Sequence, residues 1–233
     1  MDYPKPEETD FTGTLTRIIP SRFPPISVFE DVLDEAEFEI AYEIEAMTND
    51  RVLDEIGDIT RVPQEDRLFG PGSSTVMAAF THIGAPSRFT DGRYGVYYAA
   101  NTLDTAIAET VYHRERFLAA SNEPDMEITM RVYSNQATKP LLDIRPDCYS
   151  PLKDPDPASY PHPQAVAAYW RQQNHNGLLY QSVRDDNGLC VALFRPNAAT
   201  PVTQGMHLRY VWSGKKQRIT DVLEVRWPGN QPK

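Results

Sequence analysis

Seven of the chain's 20 prolines fall between Pro140 and Pro163. Each removes a backbone donor and fixes φ, so neither a helix interior nor a central strand can run through them. The spacing predicts a long irregular loop over 140–163 that separates two patterned stretches. A connection of that length is commonly a lid or a binding loop. Before it, GVYYAA (95–100) has the pattern of a buried strand, and TLDTAIAETVYHRERFLAA (102–120) that of a helix capped by Asn101 or Thr102. EITMRVYS (127–134) alternates as a strand does. After the loop, HPQAVAAYWRQQN (162–174) is a short helix with Pro163 near its first turn. LLYQSVR, LCVALFR, HLRYVWS and QRITDVLEVRW follow as strands, with DDNG (185–188) as a hairpin turn. No βαβ rhythm joins these segments, so the class is α+β, a mixed or antiparallel sheet with flanking helices.

Residues 1–13 are polar and proline-containing and are expected to form a loose tail on a single domain over 14–233. TLTRIIPSRFPPISVFE alternates too briefly to define a strand, and Pro20, Pro24 and Pro25 break any helix there. From Glu30 the apolar residues Val32, Leu33, Ala36, Ile40, Ile44 and Met47 take up helical spacing. Residues 30–66 carry fourteen acidic side chains against two arginines. With a net charge of −10 for the whole chain, the remainder is left at +2 and could hold an anionic small molecule. The acidic run is either a solvated helix face or a docking surface.

A sequence pI near 5.0 argues against duplex nucleic acid as a direct partner, since phosphate binding needs a basic surface. Hydrophobic residues make up 40% of the chain, enough for a real core. Two cysteines, Cys148 and Cys190, cannot form a disulfide framework and have no metal-binding neighbour in sequence. The first ten residues lack the basic and apolar parts of a signal peptide. Runs such as VMAAF and AVAAYW are far shorter than the ~20 residues of a membrane span. These features predict a soluble, cytoplasmic protein with no membrane partner.

Chemistry concentrates around the 102–120 helix. Ala106, Thr110, His113 and Phe117 share a stripe with Ile107 beside it, and Glu109 falls on the stripe's edge. A carboxylate there is either a surface residue at the core boundary or a buried functional group, and it could pair with His113 one turn later. Just upstream, SRFTDGRYGVYY supplies arginines and tyrosines near a helix N-terminus, where anions are favoured. Arginine offers a planar donor fork for phosphate, and tyrosine a stacking face with a hydroxyl. There is no G-x-S-x-G and no phosphate-loop lysine motif, and GPGSS (70–74) is an ordinary turn or a phosphate nest.

These residues resemble the RES domain family, named for its Arg, Glu and Ser. Arg88-Phe89 is followed ten residues later by Tyr98, and eleven after that by Glu109. GLLYQSVRDDNGLCVALF resembles the family's later strand and hairpin and places its serine at Ser182. The resemblance covers roughly residues 14–195. Many members have Arg-Trp-Asn where this chain has Arg88-Phe89-Thr90, and Arg93 competes for the arginine role. Arg17 and Arg22 are similar to a second arginine near the family's start.

The resemblance implies an ADP-ribosyltransferase-like fold and cleavage of the nicotinamide–ribose bond of NAD+, a substrate rather than a cofactor. Inorganic phosphate is the implied co-substrate, giving phosphorolysis, with hydrolysis beside it. It further implies a toxin restrained by an Xre-like antitoxin, and allows a homodimer. No metal is expected. Arg88 would hold the pyrophosphate or incoming phosphate, Tyr98 would pack on the nicotinamide ribose or ring, and Glu109 would stabilise the oxocarbenium ion. Ser182 would donate to a phosphate oxygen or orient the ribose. ADP-ribose transfer onto a protein, and a non-catalytic interaction module, are the alternatives.

Overall fold

The computed structural model describes residues 3–21 and 57–226. The acidic helix expected over 30–47, and Arg22, lie outside them. The described strands are β1 (Glu8–Thr9), β2 (Leu15–Pro20), β3 (Tyr97–Ala100), β4 (Met126–Asn135), β5 (Leu141–Asp143), β6 (Gly177–Gln181), β7 (Leu189–Leu193), β8 (Thr203–Ser213) and β9 (Arg218–Val225). They form one sheet in the order β1-β5-β6-β7-β3-β2-β4-β8-β9. Every pairing is antiparallel except β5 with β6. Three α-helices are described: α1 (Ser74–Thr81), α2 (Leu103–Ala120) and α3 (Pro161–Gln172). The class is α+β, with a mixed sheet, as the pattern predicts.

Alternation along the central strands divides the core in two. Leu15, Tyr97, Ala99, Tyr133, Leu179, Val191 and Leu193 point to one face, where Val76, Met77 and Phe80 of α1 cover them. Ile18, Ala100, Met130, Val132, Leu178, Tyr180, Cys190 and Ala192 point to the other, under Ala106 of α2 and Val166, Ala167 and Trp170 of α3. A strand covered on both faces reads as a continuous apolar run, which is why GVYYAA carries no polar alternation.

The proline-rich stretch departs from the expectation of an irregular loop. It opens with β5, continues through 3-10 turns at Asp147–Lys153 and Pro157–Ser159, and ends in α3. Prolines are tolerated because several occupy first-turn positions, where the missing N–H has no intrahelical partner anyway. The segment expected to be a loose tail is likewise tied down in part, since Glu8 and Thr9 pair with Leu142 and Leu141. The brief alternation at 15–20 is a full strand, held between β3 and β4.

Candidate active site

Register sets the floor of the site. On the α2 face Tyr98 lies opposite Ala192, and Ala100 opposite Cys190, which in turn pairs with Tyr180. Ser182 follows β6 two residues beyond Tyr180 and is 4% exposed. Helix α2 starts at Thr102, whose side chain accepts the Thr105 amide at 3.1 Å. Such a cap contributes about 1 kcal/mol. Asn101, the other candidate cap, instead accepts the Leu189 amide at 2.8 Å, and the Thr105 hydroxyl donates to Asp185 at 2.6 Å. Both bonds pin the 185–188 turn to the start of α2, which brings Ser182 against Glu109.

The Ser182 hydroxyl donates to Glu109 Oε1 at 2.7 Å. Its oxygen accepts the amides of Arg184 and Asp185, each at 3.1 Å. The buried Cys190 thiol donates to the same Glu109 oxygen at 3.8 Å. Glu109 is half-buried and bonds these two groups rather than His113, which is exposed beside the Tyr112 ring. Helix periodicity placed Glu109 at the core boundary, and there it stands.

Arg88 and Tyr98 meet through the 87–90 turn. Phe89 is fully buried, stacked on Tyr98 with ring centres 6.5 Å apart and edge-on to Tyr180 at 5.2 Å. The Tyr98 hydroxyl accepts the Phe89 amide at 3.1 Å and lies 2.7 Å from the Ser87 hydroxyl. Thr90, where many family members carry Asn, donates to Tyr94 O at 2.6 Å and accepts the Gly92 amide at 3.0 Å. These two bonds close the turn. Arg88 is 8% exposed, lies 5.0 Å over the Tyr160 ring and donates to the carbonyl of Asp154. Arg184 stacks 3.4 Å from the Tyr112 ring centre and donates to the carbonyl of Pro155 at 3.1 Å.

The competing Arg93 is 83% exposed and paired with Asp91 at the surface. Arg17 donates to Tyr98 O at 2.9 Å, but its guanidinium covers the Tyr97 ring on the opposite sheet face. Tyr180 stands in the middle of the set. Burial pushes its phenol well above the ordinary range, and Cys190, Glu109, Tyr98 and Arg88 all act on it electrostatically. The four sequence-derived residues thus share one neighbourhood, with Ser182 and Glu109 in direct contact. Tyr180, Cys190, Arg184 and Tyr160 belong to it too, and the sequence patterns assign none of them to a site. Tyr180 could have been found by counting two back from Ser182 along β6. Tyr160 carries no such signal.

Burial pushes the phenols of Tyr97, Tyr98 and Tyr210 up to about 12. The folded chain keeps these protons at pH values where the unfolded chain has lost them. Their contribution to stability is complete below pH ~10 and is lost as pH rises toward ~12. The urea midpoint should therefore fall steadily from pH 10 upward, together with growth of tyrosinate absorbance. A midpoint flat across that window would contradict the burial of these rings.

An α+β domain with an Arg-Tyr-Glu-Ser set over one sheet face is the class the geometry defines. The RES domain family matches residues 63–213, and the chain belongs to that family. The uncharacterized protein y4oC of Sinorhizobium fredii (strain NBRC 101917 / NGR234) is 28% identical over 219 residues, spanning 90% of this chain and 87% of that protein. Among solved structures, a chain of the M. tuberculosis MbcT-MbcA toxin-antitoxin complex matches with a TM-score of 0.42 and 12% identity. That match covers 90% of this chain and 89% of the other. No helix among the described residues is long and apolar enough to cross a membrane.

Proposed function

We propose that the chain cleaves the nicotinamide–ribose bond of NAD+, with Glu109 facing the reacting sugar. The observation that carries this reading is the 2.7 Å Ser182–Glu109 bond, on the sheet face that also holds Tyr98. Nicotinamide in NAD+ is already a cationic leaving group, so one carboxylate suffices where glycosidases need two. As the C–N bond breaks, its electron pair returns to the ring nitrogen and positive charge spreads over the ribose C1″ and ring oxygen. A fixed carboxylate stabilises that charge without reorganising. A lone pair of phosphate then forms the new C1″–O bond, or one of water, which gives up a proton to solvent as that bond forms.

Ser182 takes a different part from the one the family resemblance suggests. Its proton goes to Glu109 and its oxygen accepts two amides, so it is a positioning residue that leaves Glu109 Oε2 for a ribose hydroxyl. Arg88 and Arg184 supply the donors for phosphate oxygens. Phosphorolysis is the favoured outcome, and a partner protein that restrains the activity, as the family resemblance implies, would cover this mouth.

Incubating the purified chain with NAD+, with and without inorganic phosphate, tests the reading. Nicotinamide release is expected, with ADP-ribose 1″-phosphate as the second product when phosphate is present. Free ADP-ribose alone would assign hydrolysis, and a labelled protein band from radiolabelled NAD+ would assign transfer. Intact NAD+ after incubation with folded protein would overturn the enzyme reading altogether.

A further inference from the structure

A cavity of about 430 Å³ opens between α1, α3 and the segment leading into β3. Its lining includes Arg61, Asp66, Arg93, Tyr94, Arg171 and Arg195, four guanidinium groups against one carboxylate, in a chain that is acidic overall. Asp66 is already used: Arg195 Nη1 donates to one of its oxygens at 2.7 Å, and Asn197 donates to the other at 2.8 Å. Arg195 also donates to the Asn174 side chain. At the rim, Arg61 and Arg93 pair with Asp58 and Asp91, each at 2.7 Å.

Arg171 differs from the other three. It is half-buried on α3, its guanidinium lies 4.7 Å from the Tyr94 ring centre, and no carboxylate or carbonyl among the described residues accepts its side-chain protons. Its Nε is buried with no partner. Burial lowers its pKa, and the opposing effects of Tyr94 and Asp66, which raise it, and of Arg195, which lowers it, leave the net shift downward. Leaving a guanidinium in that setting costs free energy that an anion would recover. Tyr94 is itself fixed, because its hydroxyl donates to Phe89 O at 2.7 Å.

We propose that this cavity binds a small phosphate-bearing anion, held by Arg171 with Arg195 behind it and the rim arginines attracting it. Two features favour an organic phosphate over the bare ion: a volume in the range of small-molecule sites, roughly 300–1,000 Å³, and the apolar walls Phe80 and Phe194. None of its lining residues belongs to the Arg-Tyr-Glu-Ser set, so it is a separate site. The inference does not rest on NAD+ cleavage.

The test is an NMR titration of the full chain, observing arginine Nε–Hε signals and using inorganic phosphate and AMP as probes. The Arg171 signal is assigned by its absence in Arg171→Lys. A saturable shift of that signal is expected, unchanged in an Arg88→Gln background. Arg171→Lys, which keeps the charge but loses the donor fork, should weaken binding by about tenfold. Equal affinity for both probes would assign inorganic phosphate as the ligand, and preference for AMP an organic phosphate. No shift of Arg171 with either probe at millimolar concentration would overturn the site. So would a shift of that signal whose affinity is the same in Arg171→Lys, read from other residues of the cavity.

Discussion

Replacing Glu109 by Gln is expected to lower NAD+ cleavage by ~10²-fold or more while leaving the fold intact. The amide keeps the shape and still presents an oxygen to the Ser182 hydroxyl, so the 2.7 Å bond can persist. What disappears is the negative charge opposite the developing cation. Losing one preorganised electrostatic partner commonly costs about 10²–10³ in kcat. Because the charge acts on the transition state, the loss should appear in kcat more than in KM. Glu127 and Glu224 are partly exposed on β4 and β9, and their conversion to Gln serves as the control, with little change expected. Full activity of a folded Glu109→Gln variant would remove the proposed mechanism.

The largest stability effect is expected at Gly72, not in the site. Gly70 and Gly72 both adopt φ +84, yet they are not equivalent. A Cβ on Gly72 would lie 2.0 Å from the carbonyl oxygen of Val202, while one on Gly70 meets nothing within 4 Å. Val202 is buried in the core and donates its amide to Gly72 O at 2.8 Å, so neither backbone can retreat cheaply. Gly70→Ala should cost about 1–2 kcal/mol from left-handed backbone strain alone. Gly72→Ala adds overpacking against main chain and should lose on the order of 3 kcal/mol or more, a large share of a typical domain's stability. Urea denaturation of the two variants side by side isolates the clash. Equal midpoints would show that the 72–202 contact is loose.

How far the site could be read in advance follows from the range of the interactions involved. The place of Glu109 at the core boundary was legible because helical periodicity is local, whereas Ser182, just past the end of β6, was legible only through the family resemblance. The hydrogen bond between them was not legible, since residues 73 apart in sequence meet only by way of the sheet. β2 was obscured by Pro20, which sits at the strand's last position and leaves its core pairing intact. The order hidden in the proline-rich stretch is tertiary. β5 is three residues long and exists because β1 and β6 flank it. Asp154 holds Arg88 through its main-chain carbonyl, which no side-chain pattern reports.

That carbonyl, with its neighbour at Pro155, has a kinetic meaning. Two main-chain oxygens occupy donors of Arg88 and Arg184 that, under the proposed function, would meet the phosphates of NAD+. The chain thus carries an internal competitor at fixed, high effective concentration. A substrate's apparent affinity is its intrinsic affinity reduced by the fraction of molecules in which the 154–155 segment has let go. On that reading, substitutions that loosen this segment would raise apparent affinity without touching any group that meets the sugar, and a stretch of main chain between prolines would tune the site from outside it.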